Sequence, residues 1–220
     1  MHVVATVIPR ESRRITYSSE IRQLKTVPFT ERQRAIVIGS ILGDACLHPN
    51  WSKTNYTLKV TRSEKQKAYV EWQYQELKPF VRTAPRWYEP TRSYTMRTIS
   101  HSELTTLHAE FYPKRKKVLP EQITRYMTNP LVLAVWFMDD GNAVRVKKKG
   151  FRGYHLNTQS FTLAENKLIA GLFEELHGIR PHIENNHGYY RIGIAAKFSR
   201  EKFRELIKGH VIPPMRYKLG

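Results

Sequence analysis

Two segments of the chain combine a helix start signal with an apolar run that ends in acid. The first is Thr30–Ala45, in which Thr30 and Gln33 have the spacing of a capping box. The second is Asn129–Gly141, in which the asparagine can cap, Pro130 takes the first helical position and a glycine ends the run. Because both runs are apolar all round, the pattern predicts two buried helices.

The same order of elements follows each of these helices. After the first, alternating apolar and polar residues predict a strand, and a helix, a hairpin and a short helix come next. The predicted bounds are Tyr56–Thr61 for the strand, Glu64–Leu77 for the helix, Arg86–Tyr88 and Tyr94–Ile99 for the hairpin, and Ser102–Phe111 for the short helix. A basic run, KRKKVLP, closes this half.

The second copy repeats this order. Its predicted elements are a strand at Tyr154–Phe161, a helix opened by Thr162 and Glu165 and ended at Gly178, a hairpin of His182–Asn185 and Tyr189–Ala195, and a last helix from Ser199. It also ends in a proline followed by basic residues, VIPPMRYKL.

The repeat predicts an α+β fold made of two αββαββα halves related by a pseudo-twofold axis. Residues 1–29 are interpreted as a loosely ordered N-terminal arm, residues 30–128 as the first half and residues 129–220 as the second. The two acid-ended helices lie 140 − 44 = 96 residues apart, which is the offset of the repeat.

Glycines inside these helices and aspartates at their C-termini lower the stability of a helix, which indicates that they have another role. Gly39 and Gly43 each cost about 1 kcal/mol relative to alanine inside a helix, and their spacing predicts close packing against the second helix. Asp44 and Asp140 stand at helix C-termini, where a carboxylate is electrostatically misplaced. Packing the helices in parallel would bring these two carboxylates together, and bound Mg²⁺ would relieve their repulsion.

The charge of the chain indicates a polyanionic partner. There are 37 Lys and Arg residues against 19 Asp and Glu, a formal net charge of +18 spread along the whole length. Such a surface binds nucleic acid through counterion release, with an affinity that falls as salt rises. Basicity alone does not separate DNA from RNA or from anionic lipid.

Several other classes of protein are disfavoured by the composition. No apolar run approaches the roughly 18 residues that a membrane span needs, so no membrane association is expected. The single cysteine, Cys46, excludes a disulfide framework, and the nine histidines lack the spacing of an HNH nuclease or a zinc finger. The GYYRIG segment at Gly188–Gly193 has too little chain after it for a GIY-YIG nuclease domain.

At these residues the chain resembles the LAGLIDADG homing endonucleases. VIGSILGDA at Val37–Ala45 and LAVWFMDDG at Leu133–Gly141 are similar to two copies of the family motif, which is typical of its monomeric members. Ala45, Val135 and Asp139 depart from the motif, but both acids are kept. The NTQSFT, RKKVLP and PPMRYKL segments are similar to mitochondrial intron-encoded members, and the likeness covers roughly residues 30–219.

The resemblance implies a divalent-metal active site. Asp44 and Asp140 would coordinate Mg²⁺, with Mn²⁺ or Ca²⁺ able to occupy the same site, and the main-chain carbonyls of Gly43 and Asp139 would lie nearby. Two basic residues, Lys117 and Lys218, would lie beside the scissile phosphates. The expected reaction is hydrolysis of both strands of double-stranded DNA, leaving short 3′ overhangs.

The resemblance also implies two saddle-shaped antiparallel sheets, above the two-helix interface, whose outward faces read the major groove. Candidate DNA-binding residues on the first sheet are Lys53, Thr57, Lys59, Thr61, Arg86, Arg92 and Arg97. Candidates on the second sheet are Lys147, Lys148, Lys149, Arg152, His155, Asn157, Gln159, His182 and Arg191.

The biological setting implied is intron or gene mobility. The enzyme is expected to act as a monomer that needs no protein partner, inside a mitochondrion, a chloroplast or a microbial cytoplasm. The main alternative is an RNA maturase, in which the same basic fold assists intron folding and cleaves nothing. A DNA-binding regulator on a degenerated fold is a third possibility. Both acids are kept here, which favours the nuclease over either alternative.

Overall fold

The structure is a computed structural model that describes residues 18–148 and 150–220. The chain divides into two compact units. Unit 1 extends to Val37 and resumes at Asp44–Ala109, while unit 2 comprises Ile38–Gly43 and Glu110–Gly220. The end of the first acid-ended helix therefore belongs to the same unit as the second one.

Unit 1 is built on a four-stranded antiparallel sheet with the strand order β1-β2-β4-β3. Its elements are α1 (Ser19–Leu24), α2 (Glu31–Leu42), β1 (Cys46–Pro49), β2 (Tyr56–Ser63), α3 (Lys67–Glu76), β3 (Arg86–Tyr88), β4 (Ser93–Arg97) and α4 (Ser102–Phe111). Leu58 and Val60 of β2 point into the core, and Lys59 and Thr61, which alternate with them, lie on the opposite, outer face.

Unit 2 carries a second four-stranded antiparallel sheet with the equivalent order β5-β6-β8-β7. Its elements are α5 (Ile123–Met127), α6 (Pro130–Asp140), β5 (Gly141–Val146), β6 (Gly150–Leu156), α7 (Leu163–His177), β7 (His182–Asn186), β8 (Tyr189–Ile194), α8 (Lys197–Lys208) and a closing 3₁₀ turn (Pro213–Leu219). The predicted α+β fold with duplicated halves is confirmed.

The helix boundaries follow the predicted capping residues. Thr30 and Gln33 hydrogen bond reciprocally at the start of α2, and Thr162 and Glu165 form the same capping box at α7. Asn129 caps α6 by accepting a hydrogen bond from the Leu131 N–H. These side chains satisfy N–H groups that the first turn of a helix leaves unpaired.

Two strands were missed, and the bounds of two other elements were wrong. The first strand of each sheet, β1 and β5, was missed because each begins within a few residues of a helix end and is short or carries little alternation. The strand predicted at Tyr154–Phe161 is β6, which begins at Gly150 and ends at Leu156. The last helix begins at Lys197, two residues before the predicted Ser199.

The early end of β6 has a local cause in the buried Asn166. Its side-chain amide donates to the carbonyls of Phe161 and Thr162, and its Oδ1 accepts from the Thr158 hydroxyl at 2.5 Å. These bonds hold the 157–162 segment in a loop that leads into α7. Within the described residues, no helix combines the length and the apolar character that a membrane crossing requires.

Candidate functional site

The two motif helices touch through small residues within unit 2. A Cβ built on Gly39 would lie 2.7 Å from both the Val132 carbonyl oxygen and the Val135 Cβ. One built on Gly43 would lie 2.4 Å from the Asp139 Cβ. Real Cβ atoms do not approach this closely, so only glycine permits this spacing, and the predicted glycine-mediated packing of the helices is confirmed.

Aspartate occurs in this chain only at the ends of these two helices. The sequence contains Asp44, Asp139 and Asp140, and every other acid is a glutamate. Asp44 directly follows Gly43, and Asp140 directly follows Asp139, so each motif acid is the neighbour of a residue in the helix contact. Asp139 itself is buried, which makes Asp140 the accessible acid of the second motif.

Asp44 is paired with an arginine that the sequence analysis did not select. Its Oδ2 lies 3.3 Å from Nη1 of Arg62, whose side chain is 2% exposed while that of Asp44 is 55% exposed. Arg62 takes the inward face of β2, in line with Leu58 and Val60. A charged residue at an inward position of an alternating strand was the signal that could have identified it.

Asp140 ends α6 and is tied to the loop that follows β6. Its main-chain carbonyl accepts a hydrogen bond from the Asn157 N–H at 2.9 Å. The Asn157 side chain donates in turn to Oδ1 of Asn142, the second residue of β5. These bonds fix the backbone on both sides of the second motif acid.

A lysine caps the C-terminus of each motif helix, and the two arrangements correspond residue by residue. Lys117 Nζ donates to the carbonyls of Leu42 and Gly43 at 2.9 and 2.8 Å. Lys218 Nζ donates to the carbonyls of Met138 and Asp139 at 2.6 and 2.9 Å. An ammonium group at this end of a helix offsets the partial negative charge of the last carbonyls.

The donor atoms at these helix ends fit a hard divalent cation. Carboxylate and carbonyl oxygens are the ligands that Mg²⁺ prefers, and such an ion keeps several waters or substrate oxygens as further ligands. The carbonyls of Gly43 and Asp139 each accept from a lysine, and each oxygen has a second lone pair. Among the residues described, His, Cys, Asp and Glu form no cluster of three that could hold a metal without substrate.

The outer face of the first sheet presents most of its predicted basic residues. Arg86 and Arg97 are exposed and Lys59 is half-buried, around a groove of about 390 Å³. Burial lowers the pKa of His48 in this groove, and the charges of Arg97 and Lys59 lower it further. The ring is therefore neutral at pH 7, and the positive charge of the face comes from lysine and arginine.

Of the other residues predicted for the first face, Thr57 lies on it but is covered by Arg97, and two lie elsewhere. Thr57 is buried, because its hydroxyl accepts from Nε of Arg97 at 2.7 Å and donates to the His48 carbonyl. Lys53 and Arg92 lie in the connections between strands, both with positive φ. Thr61 is exposed on the face as predicted.

The second face divides the predicted residues into three groups. Arg152, His155, His182 and Arg191 lie on its strands, and the last three share the carboxylate of Glu184. Lys147 and Lys148 form the β5–β6 turn, and Lys149 lies outside the described residues. Asn157 and Gln159 were predicted on a strand but follow the end of β6. Glu184 was not selected from the sequence.

Comparisons with known proteins agree with this architecture. The model of the LAGLIDADG DNA endonuclease family matches residues 34–202. The solved structure of the homing endonuclease I-WcaI bound to its DNA recognition sequence superposes with a TM-score of 0.82 at 25% identity, covering 93% of each chain.

Curated relatives include two fungal proteins. The chain is 28% identical to "Probable intron-encoded endonuclease 1" of Wickerhamomyces canadensis, over 85% of this chain and 83% of that protein. It is 30% identical to the cytochrome b mRNA maturase bI2 of Debaryomyces hansenii, over 56% of this chain and 45% of the maturase. The chain spans about half the length of this maturase and of the mycobacterial RecA proteins that it also matches.

Proposed function

Because the chain belongs to the LAGLIDADG DNA endonuclease family, we propose that it is a site-specific homing endonuclease that cuts both strands of double-stranded DNA at a long recognition site. The observation that carries the proposal is the duplicated helix end, at which an aspartate follows a helix–helix contact and a lysine caps the last carbonyls. A protein that only binds nucleic acid has no need of this repeated set.

Asp44 and Asp140 are the proposed metal ligands, assisted by the carbonyls of Gly43 and Asp139. Mg²⁺ is the proposed ion, and Mn²⁺ or Ca²⁺ fit the same oxygen donors. When bound, such an ion acidifies a water and stabilises the oxygens that attack and leave in phosphodiester hydrolysis.

Lys117 and Lys218 are proposed to act on the scissile phosphates. Each ammonium group is held at a helix end by two carbonyls, and this fixed position next to a proposed metal ligand supports the role. A donor positioned in this way stabilises the transition state more than the ground state. One aspartate and one lysine then serve each strand, and the product carries short 3′ overhangs.

DNA is proposed to bind along the outer faces of both sheets. The net charge of +18 supplies the attraction to phosphates, and the arginines, lysines and amides on the faces supply donors for base edges. Since one chain contains both motifs, it is proposed to act as a monomer without a protein partner.

The test is cleavage of plasmid DNA with Asp44→Asn and Asp140→Asn variants. A target is first selected from a randomised DNA library with the wild-type protein and Mg²⁺. Each variant should lose double-strand cleavage while keeping or raising DNA affinity, because a negative charge near the phosphates is removed. Glu205→Gln, an exposed acid paired with Lys208 on α8, is the control and should cut normally. Normal cleavage by either aspartate variant would refute the proposed site.

The maturase relative supports a second candidate function, assistance to intron splicing. An RNA-folding role depends on the basic surface and does not require the acids. If the protein promotes splicing of a group I intron, the Asp44→Asn variant should retain that activity while cleavage is lost. Splicing assistance without any DNA cleavage by the wild-type protein would favour the maturase.

A further inference from the structure

A carboxylate lies among basic residues on the outer face of the second sheet. Glu184 is on β7, directly opposite Arg191 on β8. His182, two residues earlier on β7, faces Gly193, which in turn faces His155 on β6. Alternation along each strand therefore places all four side chains on one face.

Glu184 binds the other three side chains at once. Arg191 Nε and Nη2 lie 2.8 Å from its Oε2, and His182 Nε2 lies 2.9 Å from its Oε1. His155 Nε2 lies 3.0 Å from Oε2. An ionised carboxylate only accepts hydrogen bonds, so both histidines carry their proton on Nε2 and present Nδ1 as an acceptor when neutral.

The exposure of Glu184 and the protonation of its neighbours are consistent with these contacts. The carboxylate is 28% exposed, so water and DNA can reach it. Partial burial raises the pKa of Glu184, but hydrogen bonds from His182 and Arg191 outweigh burial, and the net shift is downward. Burial lowers the pKa of His155, so its ring is neutral at pH 7. At pH 7 the carboxylate is therefore ionised and the His155 ring is neutral, and the contacts to Glu184 orient the donors and acceptors around it.

The His182 and Glu184 side chains of the cluster pack directly against Gly193. A Cβ at this position would lie 2.5 Å from His182 Nε2 and 2.9 Å from Glu184 Oε1. The strand thus leaves room for the imidazole and the carboxylate to lie flat against the sheet. A substitution here would displace the cluster without changing any charge.

On the basis of the proposed endonuclease function, we propose that Glu184 is a specificity-determining residue, which fixes His155, His182 and Arg191 as one array that reads base edges in the half-site facing the second sheet. A carboxylate repels phosphates, so a cluster centred on one is suited to bases and not to the DNA backbone. The Nδ1 atoms of the two histidine rings, when neutral, can accept from the amino group of cytosine or adenine, while the remaining guanidinium edge of Arg191 can donate to guanine.

The experiment compares base preferences of the wild-type protein, Glu184→Gln and Gly193→Ala. Each protein selects bound DNA from a library randomised across the wild-type target. Both variants should lose preference by about tenfold at the same few adjacent positions, all in one half-site, and keep the preferences elsewhere. Circular dichroism checks that each variant is folded, and Gly193→Ala tests the array independently of charge.

Other outcomes are informative. If Glu184→Gln strengthens binding to all sequences alike and Gly193→Ala changes nothing, the carboxylate only tunes net charge and the proposal is wrong. Glu174→Gln, an exposed acid of α7 paired with Arg180, is the matched control and should keep every preference. Failure of the wild-type protein to select any DNA would instead contradict the proposed function, so the two failures are distinguishable.

Discussion

Nη1 of the buried Arg62 lies 3.3 Å from Oδ2 of Asp44, and the second half offers no arginine at the matching position. The repeat offset of 96 residues places Thr158 there, and its hydroxyl bonds Asn166. The two motif acids therefore have different surroundings, although the helices that carry them are duplicated.

Replacing Arg62 by methionine should slow the cleavage of one strand. Outer partners orient a metal-ligating carboxylate, and their loss typically costs about 10- to 100-fold in activity or metal affinity. Because Thr158 takes the equivalent place, the variant should accumulate nicked plasmid, which gel electrophoresis over time would show. Arg82→Met, which breaks a pair with Glu20 in the same unit, is the control and should produce no excess of nicks. Equal slowing of both strands would contradict the asymmetry.

Alanine at Gly39 should destabilise the protein, although alanine normally favours a helix. The added methyl would meet the Val132 carbonyl and Val135 Cβ at 2.7 Å, and overpacking of this kind costs about 1–3 kcal/mol. Gly171, inside α7, has nothing within 4 Å of a built Cβ. Gly171→Ala should therefore stabilise by about 0.4–1 kcal/mol. Urea denaturation of both variants measures the difference, and the same sign for both would disprove the tight contact.

Lys218→Met should impair both stability and cleavage. The lysine is 9% exposed and donates to two carbonyls, so its loss removes a favourable charge from a helix end, worth up to about 2 kcal/mol. Removing a donor positioned on a developing charge costs about 10²- to 10³-fold in rate. Denaturation and plasmid cleavage at a temperature where the variant is folded separate the two effects. A folded variant with normal cleavage would leave Lys218 only a structural role.

The Lys117→Met variant should lose less stability than the Lys218→Met variant. This lysine caps the first motif helix in the same way but is half-buried, so its loss should lower the free energy of unfolding less than the Lys218 change does. Cleavage of one strand should still fall. Lys208→Met, an exposed lysine on α8, should affect neither property.

Stability should rise with pH through the range in which histidine titrates. His101 is buried; its Nε2 donates to the Val27 carbonyl and its Nδ1 accepts from the Glu103 N–H. Burial lowers the pKa of His101 below its ordinary value of 6.5, so the unfolded chain binds the proton more readily. The stabilisation is complete above pH 6.5 and is lost as the pH falls toward the folded-state pKa. Urea titrations between pH 5 and 7.5 should show this slope, and His101→Gln should reduce it.

Features that a single local rule decides could be predicted from the sequence. Capping boxes placed the starts of α2 and α7, and glycine spacing predicted the contact at Gly39. The strands β1 and β5 could not be predicted, because they form by pairing with β2 and β6 and have little hydrophobic pattern of their own.

The candidate site shows the same division. Asp44, Asp140, Lys117 and Lys218 could be named because repeated motifs carry them, whereas Arg62 and Glu184 acquire partners only through tertiary structure. The pairing of Arg62 with Asp44 joins residues 62 − 44 = 18 positions apart, and the Glu184 array draws on three strands. Sequence periodicity does not predict these side-chain contacts, although a charged residue at an inward strand position indicates that the residue has a partner.

The segment Ile38–Gly43 belongs to unit 2, although its neighbours on both sides in the chain belong to unit 1. A fragment starting at Glu110 would lack the backbone that packs against Val135 and Asp139, leaving an apolar helix face uncovered. Chimeras that exchange one half for a homologue's must therefore transfer a helix with glycine at both contact positions. Recombinants of such genes would fold only if the two helices fit together, and only folded recombinants could then be selected for their DNA target.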